Sequence, residues 1–251
     1  LYLQQFKYYN YYWVKFIMDK MLYIAMSGAK QNMQALSVTA NNLANAKTTG
    51  FKADLANARA MQAFGEGLPS RVFSMTERAG QNFDSGALLT TGRDLDVAIQ
   101  GQGWLTVQTK DGSEAYTRNG QLKLVIGDGG PVFIPLPVNN INIASDGTIM
   151  VQPEGAPASV QDEVGRLKLV NPDSRLLEKG NDGLFRRKDG NNEPADITVS
   201  VASGSLESSN VNPISEMTDM IALQRQFEMQ LKMMKTAEEI DSSAASLLRA
   251  F

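Results

Sequence analysis

The sequence predicts an α+β fold in which two long terminal α-helices enclose a central all-β domain. Three observations predict it. Apolar residues near the N-terminus recur at alternating steps of four and three. A similar spacing returns near the C-terminus. Between the two, Asp-Gly and Asn-Gly dipeptides separate runs in which apolar and polar residues alternate.

The first residues stand apart. Leu1 to Ile17 carries Tyr2, Phe6, Tyr8, Tyr9, Tyr11, Tyr12, Trp13 and Phe16. Aromatics of this kind suit a membrane interface. The simpler reading starts the natural chain at Met18 and sets residues 1–17 aside as a non-native or disordered extension. Residues 18–45 then form the N-terminal helix. Its stripe is Leu22, Met26, Ala29, Met33, Leu36, Ala40 and Leu43, a sustained heptad. Asp19 is the expected N-cap. Asn41, Asn42 and Asn45, followed by Gly50, mark the end, because Asn and Gly accept the backbone conformations that close a helix.

Residues 46–83 read as an extended connector with room for a hairpin. Residues 84–205 read as the β domain. Turn dipeptides fall at Asp111-Gly112, Asn119-Gly120, Asp128-Gly129, Asp146-Gly147, Asp182-Gly183 and Asp189-Gly190. Strands are expected over Leu95–Ile99, Trp104–Thr109, Arg166–Val170 and Ile197–Val201, with Leu95, Val97 and Ile99 on one face. Residues 206–251 hold the C-terminal helix. Asn212 is its N-cap and Pro213 its first helical residue. Its apolar stripe includes Met217, Met220, Phe227, Leu231 and Met234. Residues 19–59 carry a net charge of +3 and residues 206–251 a net charge of −3, which is compatible with the two helices pairing. The methionines of the last helix suit ordinary core filling or contacts that differ from neighbour to neighbour.

Composition removes several function classes. The 251 residues contain no Cys and no His, so thiolate chemistry, Cys-ligated metal and Ser-His-Asp catalysis are excluded. The formal net charge is −3, which argues against non-specific nucleic-acid binding. No apolar run reaches the length of a transmembrane helix, and no cleavable signal peptide is expected. Asp94 and Asp96 flank Leu95 and, on a regular strand, would share a face, where a catalytic carboxylate pair could sit. The plainer reading is a solvated face beside a turn. Gly127-Asp128-Gly129-Gly130 lacks the Lys-Ser/Thr of a phosphate loop and reads as a turn. Arg186-Arg187-Lys188 reads as a solvated hairpin end. No catalytic residue, metal ligand or cofactor site is assigned. The asparagine cluster has two readings, helix capping and hydrogen bonding between stacked subunits.

Four stretches carry a resemblance. Ser37 to Lys52 reads SVTANNLANAKTTGFK and contains Asn41, Asn42, Leu43, Asn45, Thr49, Gly50 and Phe51. The others are Gly92 to Trp104, Tyr116 to Gly120, and Gly204 to Asn212 leading into Met217 to Lys232. In this order they resemble the bacterial flagellar rod and hook axial proteins from about Met18 to Phe251. The short length and Arg225 to Gln230 are most similar to the proximal rod branch of that family. After the Tyr116 stretch, Leu122 to Gly129 looks shorter than the family pattern by roughly a dozen residues.

The resemblance implies a structural subunit of the flagellar basal-body rod, the drive shaft that carries torque from motor to hook. It implies export through the flagellar type III apparatus, residence in the periplasmic rod and self-assembly through the terminal helices. The implied partners are copies of the chain and other rod proteins, with no nucleic acid and no small-molecule substrate. A distal rod or hook protein of the same family and a secreted coiled-coil adhesin or adaptor remain the alternatives.

Overall fold

A computed structural model describes residues 2–56, 58–62, 72–76, 80–122, 126–127, 130–131, 138–155, 157 and 161–249. They form two compact units, one of residues 1–44, 54–81 and 212–251, the other of residues 45–53 and 82–211. The order is two long helices, one near each end, and among the described residues between them strands and one short 3-10 turn.

The first unit is the helical one. Helix α1 spans Tyr2–Ala44 and α2 spans Pro213–Arg249. Helix α1 starts well before the expected N-cap. No Gly or Pro lies between Tyr2 and Asp19, so nothing stops the backbone ladder, and Asp19 sits inside the helix. The aromatic side chains of residues 1–17 lie outside the described part. At the other helix the cap is as the sequence predicts. The Asn212 side-chain oxygen accepts from Ile214 N at 3.1 Å and Ser215 N at 3.4 Å, and Pro213 opens the helix without wasting a donor.

The two helices pack together and run antiparallel. Gly28 lies against Gln230, and Asn42 bonds Glu216. These contacts are equally spaced along each helix and run in opposite directions. Four short strands complete the unit. Strand β1 (Asp54–Leu55) pairs with the strand over Gly80–Gln81, here β4. Strands β2 (Ala58–Gln62) and β3 (Val72–Thr76) form an antiparallel hairpin, and β3 runs against α1.

The second unit is all β. It contains β5 (Leu88–Thr90), β6 (Val97–Gln100), β7 (Trp104–Gln108), β8 (Glu114–Thr117), β9 (Ile126–Gly127), β10 (Gly130–Pro131), β11 (Val138–Ile143), β12 (Thr148–Pro153), β13 (Asp162–Arg166), β14 (Leu169–Val170), β15 (Leu177–Lys179), β16 (Phe185–Arg187), β17 (Ser200–Ser203) and β18 (Ser205–Glu207). A five-stranded sheet has the order β14-β7-β8-β16-β15, and a three-stranded sheet the order β11-β12-β13. Strand β17 pairs with β6, β18 with β5, and β10 with β9.

Alternation places the core. In β7, Leu105 enters a cluster with Val97, Ile99, Ile149, Val151, Leu167, Leu169 and Val201, while Trp104 enters another with Tyr116, Val170, Leu177 and Phe185. The five-stranded sheet therefore buries side chains on both faces. Trp104 packs on Phe185 with ring centroids 4.6 Å apart, and edge-on to Phe83 at 5.9 Å.

Several expectations need correction. Asp111-Gly112, Asp146-Gly147 and Asp182-Gly183 do sit at hairpin turns. Asn119-Gly120 does not: the Gly120 carbonyl accepts from Val97 N at 3.0 Å, so the segment runs along β6. Asp189-Gly190 turns the chain after β16 without leading into a paired strand. Arg166–Val170 is not one strand: β13 ends at Arg166 and β14 opens at Leu169, and the two belong to different sheets. Ile197 is 81% exposed. The Asp196 carboxylate takes the N–H and hydroxyl of Thr198 at 2.8 and 2.7 Å, making a turn that delays the strand to Ser200. Asp94 lies in an exposed turn and Asp96 is buried at a β-bridge to Gln121, so they do not share a strand face. Asp128-Gly129 and the apparent shortening at Lys123 to Val125 fall outside the described residues.

Candidate functional site

The four sequence stretches converge on one buried polar knot in the β unit. Its centre is Glu207 in β18, fully buried. One carboxylate oxygen accepts from Lys52 Nζ at 2.7 Å and Gly86 N at 2.9 Å; the other accepts from Arg118 Nη1 at 2.8 Å. Lys52 Nζ also donates to the Asp84 carbonyl at 2.7 Å, and Arg118 Nη2 to the Gly101 carbonyl at 2.8 Å. The Arg118 guanidinium lies 5.4 Å from the centre of the Trp104 ring. Two basic side chains thus meet one carboxylate, and each also donates to a backbone carbonyl, while Arg118 Nε is buried without a hydrogen-bond partner among the described residues.

Burial alone would push the Glu207 carboxyl up. The Lys52 hydrogen bond, the Arg118 charge and the Gly86 N–H outweigh it and hold the group below the usual glutamate range. For Lys52, burial dominates and brings the ammonium below its usual value, against the pull of Glu207. The knot is an electrostatic lock, one buried carboxylate held between two basic side chains.

Backbone contacts tighten it. Gly50 N donates to the Glu207 carbonyl at 2.8 Å. Gly50 has φ +68°, and a Cβ there would lie 2.3 Å from the Arg118 carbonyl carbon. Thr49 Oγ1 donates to Asn119 Oδ1 at 3.1 Å. Asn210 accepts from Ala53 N at 2.8 Å and donates to the carbonyls of Asn82 and Asp84 at 2.9 and 3.0 Å. Lys179 Nζ sits 4.0 Å from the centre of the half-buried Phe51 ring. Residues that follow α1 in sequence and residues that precede α2 are therefore held at one point. Asp96 has a supporting role nearby. Thr91 Oγ1 donates to its carboxylate at 2.6 Å, and its own carbonyl accepts from Gly204 N at 2.7 Å.

The helical unit places the predicted stripes in two groups. On α1, Ala29 is buried, Leu36 and Leu43 are half-buried, and Leu22, Met26, Met33 and Ala40 are exposed. On α2, Met220, Phe227 and Met234 are half-buried, while Met217 and Leu231 are exposed. The face of α1 that holds Gly28 against Gln230 carries smaller residues: Ala25, Gly28, Asn32, Ala35, Thr39 and Asn42, at steps of three and four. Large apolar residues of both helices remain in water, Met33 at 59% and Met217 at 53%.

Within the asparagine cluster, Asn42 is used inside the chain. Its amide donates to the Asp54 carbonyl and accepts from Asp54 N, both at 2.9 Å, and also reaches Glu216 at 3.2 Å. Asn45 accepts from Thr48 Oγ1 at 3.1 Å, and Asn41 is exposed. The basic run Arg186-Arg187-Lys188 is neutralised locally. Arg186 holds the Asp182 carboxyl at about 2, and Arg187 holds Asp189 at about 2 while also pairing with Glu193. Among the described residues no group of carboxylates could hold a metal ion, and no helix is long and apolar enough to cross a membrane.

Comparison with known proteins follows the same segments. Residues 22–52 match the family described as Flagella basal body rod protein, residues 98–151 the Flagellar hook protein FlgE/F/G D1 domain, and residues 202–247 the Flagellar basal body rod FlgEFG protein C-terminal. The chain is 42% identical to the flagellar basal-body rod protein FlgF of Escherichia coli K12, over 92% of this chain and 99% of the relative. The chain belongs to the flagellar basal-body rod protein family. It is 41% identical to FlgF of Salmonella typhimurium over the same shares, and 31% identical to the rod protein FlgG of Bacillus subtilis over 92% of this chain and all of the relative.

The matched segments of this rod protein supply the knot. Lys52 closes the first, Arg118 lies in the second and Glu207 in the third. Sequence reading quoted all three residues inside its stretches but assigned them no role. The three lie more than sixty positions from one another in sequence, beyond the reach of any local pattern. Gly28 offered a signal that went unread. Glycine in a helix interior costs about 1 kcal/mol relative to alanine, so its presence implies a close neighbour.

Proposed function

We propose that this chain is a structural subunit of the proximal part of the flagellar rod. Its terminal helices pair as a coiled-coil-like layer and assemble with copies of the chain and with other rod proteins. Family membership along nearly the whole chain carries the reading. The exposed stripe of Leu22, Met26 and Met33 on α1, with Met217 and Leu231 on α2, supports it, since large apolar side chains left in water at helical spacing seek a partner. Ala29, Ala40, Leu36 and Leu43 flank that stripe, and Met220, Phe227 and Met234 face the helix partner. The role is architectural, with no reaction and no cofactor. Residues 18–45 and 206–251 serve assembly, 46–83 connect, and 84–205 form the outer β domain. The chain reaches the rod through the flagellar type III export apparatus and folds there.

Contacts that repeat from subunit to subunit without closing a ring build an open helical shaft. Helices packed along their length resist twist, which suits a part that carries torque. Met33→Asp places a charge in the proposed contact. In a strain relying on this protein alone, the variant is expected to abolish rods in electron micrographs and motility on soft agar, while the purified chain keeps its β-sheet circular dichroism. Normal rods with this variant would remove Met33 from the contact.

A further inference from the structure

The two helices of the first unit raise a specificity problem. The face of α2 towards α1 carries Glu216, Met220, Leu223, Phe227, Gln230, Met234 and Ala237, a heptad stripe. A stripe of this kind fits an opposing helix nearly as well when displaced by one heptad, because apolar packing is not directional. Something polar must select the observed register.

We propose that Gly28, Asn32 and Gln230 form that selecting key. Gln230 is long and occupies the notch that Gly28 leaves: a Cβ on residue 28 would lie 2.6 Å from its Nε2 and 2.9 Å from its Cδ. Asn32 lies one turn further along the same face. Among the described residues, Asn32 Nδ2 and Gln230 Oε1 are buried without a hydrogen-bond partner. Unsatisfied buried amide atoms weaken a helix pair, so these residues do not serve its stability. Their effect is selection. In a displaced pairing Gln230 meets Ala35 or Met21 in place of Gly28, and either side chain closes the notch. The same displacement separates Asn42 from Glu216, which now meet at 3.2 Å. A buried polar residue that fixes register at the expense of stability is an established device in helix pairs. The inference concerns pairing within one chain and stands apart from the assembly reading.

The absence of native cysteine makes the test direct. Ala35→Cys with Leu223→Cys reports the observed register, since these positions face each other when Gly28 faces Gln230. Thr39→Cys with Phe227→Cys, both on the facing stripes, reports a displacement of one heptad. Each pair is introduced into the full chain, oxidised at high dilution and scored for intramolecular disulfide by mass spectrometry. The expected result is that only the first pair closes in the parent background. With Asn32→Leu and Gln230→Leu added, closure of the second pair is expected to rise at least tenfold, with no loss of thermal stability. Gly28→Leu is expected to lower closure of the first pair, and Gln230→Gly to restore it. The proposal is overturned if both reporters close equally in the parent, or if the double leucine chain keeps the first register alone.

Discussion

Removing the charge of Glu207 is the most informative perturbation of the knot. Glu207→Gln keeps the shape but leaves Lys52 and Arg118, 1% and 4% exposed, without a counter-charge. Breaking a buried ion pair from one side costs about 3–5 kcal/mol. For a unit of this size that lowers the melting temperature by about 6–20 °C, at about 2–4 °C per kcal/mol. The two-to-one charge ratio makes a sharper claim. Lys52→Met leaves one cation facing one carboxylate, so it should cost less than Glu207→Gln. Arg118→Met also leaves a balanced pair but loses the Gly101 bond and the Trp104 contact, and should fall between them. Urea melts followed by Trp104 fluorescence read the β unit, with Trp13→Phe removing the second tryptophan. Acid titration adds a sign. The Glu207 carboxyl is held below its ordinary value of 4.5. Its contribution is complete above that value and is lost as pH falls through the folded value, and Glu207→Gln should lack that acid limb. If Lys52→Met proves the most costly of the three, or Glu207→Gln changes stability by less than about 1 kcal/mol, the knot is not the electrostatic lock described.

Other expectations follow from the same geometry. Gly50→Ala forces a side chain into the left-handed region and against the Arg118 backbone; strain alone costs about 1–3 kcal/mol, measurable by thermal melting. Asn42→Ala leaves the Asp54 N–H and carbonyl without their partner and is expected to cost about 1–3 kcal/mol, with faster amide exchange at the end of α1. In the isolated chain, amides of α1 and α2 are expected to exchange faster than those of β7 and β12. The α1 side of the helix contact is small and polar and the α2 residues facing it are mostly only half-buried, whereas the β core fully buries Leu105, Ile149 and Val151. Equal protection across both units would refute that ranking.

Reading from sequence succeeded where a signal is local. The two terminal helices, the Asn212-Pro213 start and three hairpin turns depend on residues within a few positions of one another. It failed where the decision is remote. The large side chains of Leu22, Met26 and Met33 made the conspicuous stripe and lie exposed, whereas Gly28 and Asn42, with no bulk to mark them, are the residues that meet α2. Ile197 alternates correctly with Val199 and Val201, but a side-chain hydrogen bond from Thr198 to Asp196 wins over the alternation.

The amino-acid sequence by itself determined the α+β order, the family and the exclusion of thiol and histidine chemistry, since composition, period and motif are properties of the string. Only the tertiary structure decided that Lys52, Arg118 and Glu207 are one object and that α1 meets α2 at Gly28 and Asn42. A buried carboxylate is tolerable only where the fold brings cations to it, and a glycine becomes a notch only when another side chain fills it.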